Sequence, residues 1–130
     1  RQMCIRDRSD IIAQRIPALL EATTEQTARV EERVRGNLAI LHELLDADPN
    51  GLVSVLRAEG GWNVLLRVPS VIDENEMVLK LIAEHGLTGQ PGYFFDMTSN
   101  GYLAVSLLPE PEVFRQGICA VLATVEALLA

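Results

Sequence analysis

The sequence has few of the residues from which disulfide frameworks and metal sites are built. Its 130 residues include two cysteines, Cys4 and Cys119, and two histidines, His42 and His85. A secreted disulfide scaffold needs more cysteines, and a metal site needs ligands clustered at fixed spacing. The sequence therefore predicts no metal site, and this use of cysteine favours a reducing, cytoplasmic environment.

Long apolar runs and positive charge are also scarce. No apolar run approaches the ~20 residues that cross a membrane, and no signal peptide opens the chain. The net charge is −7, and residues 36–130 carry twelve acidic against four basic side chains. Because such a surface repels phosphate backbones, we expect no nucleic-acid partner. Because no apolar run is long enough to span a bilayer, we also expect no membrane partner. With 48% hydrophobic residues, the chain is expected to form one soluble globular domain.

Residues 1–8 differ from the rest of the chain because they follow neither a helical nor a strand period. The segment Met3-Cys4-Ile5-Arg6-Asp7 resembles the translation of a transposon end used in sequencing libraries. We therefore predict that residues 1–8 are a non-native scar, and that the natural part of the chain begins near Arg8 or Ser9 and is truncated there. An ordinary frayed terminus is the alternative.

Two helices are predicted before residue 50. Ser9 precedes apolar residues at helical spacing, and Pro17 predicts a break or kink in this first helix. Thr23, with Gln26 three residues later, has the form of a capping box that begins a second helix. This long amphipathic helix of roughly 24 residues is expected to end at the turn residues 48–51.

After residue 50 the pattern changes to short β-prone runs separated by turns. Asp73 and Gly86 predict the start and the end of a further helix, and the turn Ser99-Asn100-Gly101 predicts a hairpin. The last helix is predicted at residues 113–129. The predicted strands are residues 52–56, 62–68, 94–97 and 102–107. The order α-α-β-β-α-β-β-α indicates an α+β fold, a two-layer α/β arrangement in which helices cover a small antiparallel or mixed sheet.

The residues that carry chemistry in other folds have ordinary structural explanations here. His85, at a helix end, favours the negative end of the helix dipole, and Cys119 is expected to be buried in the last helix. The serines lack the context of a nucleophile elbow, which argues against a serine hydrolase. The glycine pairs do not match a phosphate-binding loop and are explained as turns.

Three motifs follow one another in the second part of the chain. They are Gly60-Gly61-Trp62, then Gln90-Pro91-Gly92 with Phe95, then the strand to Ser106, which precedes the last helix. In this order they resemble the small C-terminal domain of fold-type I, class I/II pyridoxal-phosphate-dependent aminotransferases. The resemblance covers nearly all of residues 9–130. Residues 9–50 are similar to the family's connector helices, and residues 51–130 to its small C-terminal α/β domain.

This resemblance implies the function of a larger protein. The complete enzyme would use pyridoxal 5'-phosphate to transfer an amino group between an amino acid and a 2-oxo acid, as a cytoplasmic homodimer in biosynthesis. Lys80 is the only lysine and lies in a predicted helix, so the Schiff-base lysine is expected in the missing large domain. We therefore expect this fragment to be inactive, with no catalytic and no cofactor-binding residue of its own.

One position departs from the family's pattern. The family's strand carries an arginine that pairs with the substrate carboxylate, and the resemblance places Ala104 at that position. Strand alternation puts Tyr102, Ala104 and Ser106 on one face and the apolar residues between them on the core face. Ala104 and Ser106 of this strand, together with Tyr93 of the preceding loop, are the substrate-side candidates. The alternative is that Ala104 and Ser106 pack against the last helix.

Because an alanine side chain cannot bind a carboxylate, other functions stay open. One is a related pyridoxal-phosphate lyase, or a subfamily that holds the carboxylate in a different way. Another, from a different class, is a non-catalytic small α/β binding or interaction module. An upstream reading frame that encodes a lysine-bearing large domain would favour the enzyme.

Overall fold

The computed structural model describes residues 10–130, so the predicted scar at residues 1–8 lies outside the described part. The order of helices and strands matches the prediction, except that the third strand lies at Gln90–Pro91 and not at residues 94–97, and the fold is α+β. The elements are α1 (Asp10–Ala22), α2 (Thr24–Ala47), β1 (Ser54–Val55), β2 (Asn63–Arg67), α3 (Glu74–His85), β3 (Gln90–Pro91), a 3₁₀ helix (Gly92–Phe95), β4 (Tyr102–Ser106) and α4 (Pro111–Leu129). None of these helices is long and apolar enough to cross a membrane.

The chain divides into two compact units, one up to Glu32 and one from Arg33 to Ala130. The boundary lies inside α2, the 24-residue helix that the sequence predicts. In the first unit, the large apolar side chains of α1 are between 44% and 68% exposed. These side chains are Ile11, Ile12, Ile16, Leu19 and Leu20. The second unit contains the sheet, the remaining helices and the hydrophobic core.

Two expectations for the first unit differ from the structure. α1 is not broken at Pro17 but continues through it to Ala22, and the alternative of a kink at Pro17 stays a prediction. Proline removes one hydrogen bond, and in an exposed helix the carbonyl that loses its partner remains open to water. The capping box at Thr23 is also absent, because the Thr23 hydroxyl donates to the Leu20 carbonyl at 2.8 Å. The Thr23 N–H also donates to the Leu19 carbonyl, so Thr23 continues the hydrogen bonding of α1.

The sheet has the strand order β1-β2-β4-β3, and all of its pairs are antiparallel. The strand predicted at residues 94–97 is wrong, because Gly92–Phe95 forms a 3₁₀ helix. The strand that pairs with β4 is instead Gln90–Pro91, so β3 and β4 do not form a tight hairpin. Asp96 caps the end of the 3₁₀ helix, with a φ of 57° in the left-handed region.

Both predicted ends of α3 are confirmed. The Asp73 side chain accepts a hydrogen bond from the Glu76 N–H at 2.9 Å, as an N-cap does. Gly86 has a φ of 65°, and its N–H donates to the Ile82 carbonyl. This left-handed conformation is open to glycine without a steric cost, which is why the helix ends here.

The core lies on one face of the sheet. Along β2, the alternate side chains Val64 and Leu66 are buried, and they pair with Val105 and Leu103 of β4 on the same face. Helices α2, α3 and α4 supply the other side of this core. Their fully or nearly fully buried apolar residues are Leu41, Met77, Leu81, Phe114, Ile118, Val121 and Val125.

Candidate functional site

The second face of the sheet, which we call the outer face, is defined by the strand register. Leu65 pairs with Ala104, Arg67 pairs with Tyr102, and Gln90 pairs with Ala104 on the opposite side. Directly paired residues project to the same face of a sheet. The outer face therefore consists of Ser54, Asn63, Leu65, Arg67, Gln90, Tyr102, Ala104 and Ser106.

Ala104 lies at the centre of the outer face, between Leu65 and Gln90. It is only 5% exposed, because a methyl group is covered by its taller neighbours, whereas Asn63, Gln90 and Ser106 are exposed. The register, rather than the burial along β4, places Tyr102, Ala104 and Ser106 on one face as predicted. Ala104 does not face α4, since its strand neighbours Leu103 and Val105 line the groove beside that helix.

Ser106 stands at the end of the outer face and is engaged locally. Its hydroxyl oxygen accepts a hydrogen bond from the Leu108 N–H at 3.3 Å, and the residue also borders the groove beside α4. The hydroxyl keeps its own proton for a second partner. Ser106 is therefore able to donate a hydrogen bond to a ligand at this edge.

Tyr93, the third candidate, lies on the 3₁₀ helix and not on the sheet. Its hydroxyl donates to the Asn75 side-chain oxygen at 2.9 Å, and its ring contacts the Phe94 ring at a centroid distance of 4.8 Å. The turn itself approaches β4 closely, since a Cβ on Gly92 would lie 2.5 Å from the Tyr102 Cβ. Tyr93 is thus tied to the first turn of α3.

A buried carboxylate that the sequence does not reveal holds the start of β4. Glu74 is 3% exposed, and its Oε1 accepts the N–H groups of Gly101 and Tyr102, both at 2.9 Å. Hydrogen bonds to an ionised group are roughly twice as strong as neutral ones. Glu74 therefore fixes the strand to the N-terminal turn of α3. From the sequence, Glu74 is indistinguishable from any acidic residue in the first turn of a helix.

A buried amide holds the end of the same strand. The Nδ2 of Asn37, on α2, donates to the carbonyls of Leu107 and Pro109, both at 2.8 Å, and the side chain is completely buried. These carbonyls follow β4 in the chain and precede α4. Together, Glu74 and Asn37 anchor β4 at both ends, so the position of Ala104 and its face is set by buried polar contacts.

The residues first considered for chemistry are dispersed. His42 and His85 are both exposed, and the described residues contain no group of three or more His, Cys, Asp or Glu able to hold a metal. The prediction that Cys119 is buried is wrong, because it is exposed. Its neighbours Ile118 and Ala120 face the core, and the helical rotation of about 100° per residue turns the position between them outward. Lys80 pairs with Glu84 at 3.8 Å.

Comparison with known proteins reveals similarity at the level of structure alone. No protein-family model matches the chain, and no curated protein matches it significantly. A pyridoxal-phosphate-dependent aminotransferase from Streptococcus suis superposes with a TM-score of 0.71 at 24% identity, over 92% of this chain and 30% of that one. LysN, the α-aminoadipate aminotransferase of Thermus thermophilus, superposes with a TM-score of 0.70 at 21% identity, over 87% of this chain and 30% of that one. Tyrosine aminotransferase from Leishmania infantum superposes with a TM-score of 0.68 at 21% identity, over 85% of this chain and 27% of that one.

The chain thus spans about 30% of the length of the first two solved structures that it matches. This partial coverage fits a C-terminal fragment, as the sequence resemblance predicts. At these identities the likeness concerns the fold and not the activity. The chain has the fold of one part of a pyridoxal-phosphate-dependent aminotransferase.

Proposed function

We propose that this chain is the small C-terminal domain of a pyridoxal-phosphate-dependent aminotransferase. The complete enzyme would move an amino group between an amino acid and a 2-oxo acid. The observation that carries this proposal is the superposition over 92% of the chain with a TM-score of 0.71. In this assignment residues 9–50 are connector helices and residues 51–130 form the small domain.

The cofactor does not fit the residues of this chain. Pyridoxal phosphate supplies an electron sink when it is held by a lysine and a phosphate site. Lys80 is the only lysine, it is partly covered, and its ammonium group pairs with Glu84. We infer that the cofactor and its lysine belong to a large domain outside this chain, so the fragment by itself is inactive. A homodimer of the complete enzyme is part of the same proposal.

The contribution of this chain would be one wall of the substrate site. The outer face carries the exposed polar residues Asn63, Gln90 and Ser106, and Ser106 has a hydroxyl proton to donate. Glu74 and Asn37 hold this wall in place through buried hydrogen bonds. A wall set by buried contacts is preorganised, which is what substrate positioning needs.

The direct experiment is to read the source DNA upstream of residue 9 and to express the complete reading frame. We expect a lysine-bearing large domain, and we expect the purified protein with pyridoxal phosphate to transfer amino groups from amino acids to 2-oxo acids. If the complete protein eliminates a group from the amino acid without transferring the amino group, it is a lyase. If the upstream DNA shows that the reading frame starts with this chain, the non-catalytic binding module is favoured.

A second experiment uses the chain as it is. Titration with pyridoxal phosphate, followed by absorbance, is expected to show only the slow, non-saturating reaction of a generic amine. Lys80→Ala serves as the matched variant, because it removes the sole lysine. Saturable binding that survives Lys80→Ala would contradict the inference that the cofactor site lies outside this chain.

A further inference from the structure

We propose that Arg67 binds the carboxylate of the substrate at the β1 side of the outer face. The identity of the ligand as a substrate rests on the proposed function. The binding of a small carboxylate to Arg67 is a separate claim that is tested by itself. Three features of Arg67 support it: its position, its lack of a carboxylate partner, and its surroundings.

Arg67 projects from β2 onto the same face as Ala104. It pairs directly with Tyr102, and the adjacent outer-face pair along the two strands is Leu65 with Ala104. Diagonal neighbours on an antiparallel pair lie roughly 7–8 Å apart, which is within the reach of an arginine side chain.

Arg67 is the only charged residue on the outer face. Several other arginines of this acidic chain are paired, such as Arg33 with Glu110 at 2.9 Å and Arg115 with Glu43 at 3.3 Å. Within residues 10–130, no carboxylate lies within ion-pair distance of Arg67. Its side chain is exposed, and its charge is therefore available to an anion from solution.

The surroundings of Arg67 fit a planar anion. Its Cζ lies 6.0 Å from the centroid of the Tyr102 ring, so the ring attracts the guanidinium group while the N–H edge stays free. A guanidinium edge binds a carboxylate through two parallel hydrogen bonds. Beside Arg67 is a depression of about 300 Å³ that Ser54 and Ser70 also border, and both offer hydroxyl donors.

The single positive charge of Arg67 favours a carboxylate over a phosphate as its ligand. One guanidinium balances the single charge of a carboxylate, whereas a phosphate dianion needs further cations or a helix N-terminus. The lining of the depression contains no other charged residue. The net charge of −7 adds repulsion that a dianion feels twice as strongly.

The test is an NMR titration of the chain with pyruvate, with pyruvamide as the uncharged analogue and inorganic phosphate as the competing anion. We expect saturable shifts of the Arg67 Nε–Hε signal and of the Ser54 and Tyr102 amides with pyruvate, and none with pyruvamide. Arg67→Gln should weaken pyruvate binding at least tenfold, and Arg67→Lys less, because lysine keeps the charge without the two-pronged geometry.

Arg57→Gln is the matched control, since Arg57 is an exposed arginine that lies off the outer face and pairs with Glu59. It should leave pyruvate binding unchanged, and melting curves should show all three variants folded. The proposal is overturned if the unaltered chain gives no saturable shift, if Arg57→Gln weakens binding as much as Arg67→Gln, or if phosphate binds more tightly than pyruvate.

The complete enzyme separates this proposal from the proposed function. There, Arg67→Gln should raise KM for the amino acid at least tenfold and leave kcat less affected. An active enzyme whose KM does not respond to Arg67→Gln would overturn the role of Arg67 and leave the aminotransferase assignment intact. If the complete protein does not transfer amino groups but still binds pyruvate through Arg67, the aminotransferase assignment is overturned and the binding of a carboxylate to Arg67 stands.

Discussion

Helices α1 and α4 both have apolar residues at helical spacing, yet they differ in what covers those residues. In α1, Ile11 and Leu20 are 68% and 65% exposed, whereas Phe114 and Val125 of α4 are 4% and 1% exposed. The periodic pattern defines an apolar face in both helices. It does not specify a partner for that face. The difference shows that burial, rather than pattern, distinguishes the unit with a core from the unit that ends at Glu32.

The units also differ in their polar contacts. In the first unit, hydrogen bonds and ion pairs such as Arg29 with Glu25 at 2.6 Å are exposed and local in sequence. The second unit has buried contacts between residues far apart in sequence, such as Glu74 with Gly101 and Asn37 with Leu107. Exposed pairs of this kind contribute about 0.3–0.5 kcal/mol, whereas a hydrogen bond to a buried charge contributes roughly 1.5–3 kcal/mol.

The largest expected effect is a difference in local opening. Amides of residues 11–22 should exchange with solvent with an opening free energy near zero, because α1 buries little apolar surface. Amides of β2 and β4 around Val64 and Val105 should approach the global value, roughly 5–15 kcal/mol for a stable domain. Hydrogen exchange measured by NMR checks this. Equal protection in both regions would break the comparison.

The second prediction compares one leucine from each unit. Leu103→Ala removes a completely buried side chain from the centre of the sheet and should cost about 2–5 kcal/mol. The matched substitution Leu20→Ala, on exposed α1, should change the free energy of unfolding by less than about 0.5 kcal/mol. Urea unfolding followed by circular dichroism measures both. Similar values for the two variants would show that α1 is buried in solution.

The third prediction concerns the buried carboxylate. Glu74→Ala leaves the N–H groups of Gly101 and Tyr102 without their acceptor, which should cost about 3 kcal/mol. Glu74→Gln keeps an acceptor oxygen and should cost less. Glu76→Ala, at an exposed position of the same turn, is the control and should cost about 0.5 kcal/mol. A result in which Glu74→Ala and Glu76→Ala have equal Tm values would contradict the anchoring role of Glu74.

The smallest expected effect tests the close approach of the 3₁₀ helix to β4. Gly92→Ala places a methyl group 2.5 Å from the Tyr102 Cβ, so the turn has to move, at a cost of about 1–3 kcal/mol. Gly60→Ala is the matched control, since nothing lies within 4 Å of an added Cβ there. Thermal unfolding of both variants measures the difference. If Gly92→Ala melts at the temperature of the unaltered chain, the packing of this turn is looser than described.

The sequence by itself predicted the features that depend on neighbouring residues. Asp73 and Gly86 mark the ends of α3 because capping involves atoms only a few residues apart. The alternation along β4 separates Leu103 from Ala104 because successive side chains point to opposite faces. These local rules also predicted the order of helices and strands, and with it the α+β fold.

Only the tertiary structure decided the features whose partners are distant in sequence. Whether Glu74 is buried depends on Gly101, 27 residues away, and no local pattern signals it. The position of Arg67 on the face of Ala104 depends on the pairing of β2 with β4, two strands separated in the chain by α3 and β3. Residues 94–97 have a β-prone composition, but the turn at Gly92 packs against Tyr102 and becomes a 3₁₀ helix. Helix and strand propensities contribute tenths of a kcal/mol per residue. Packing and hydrogen bonds between segments that are distant in sequence therefore override them.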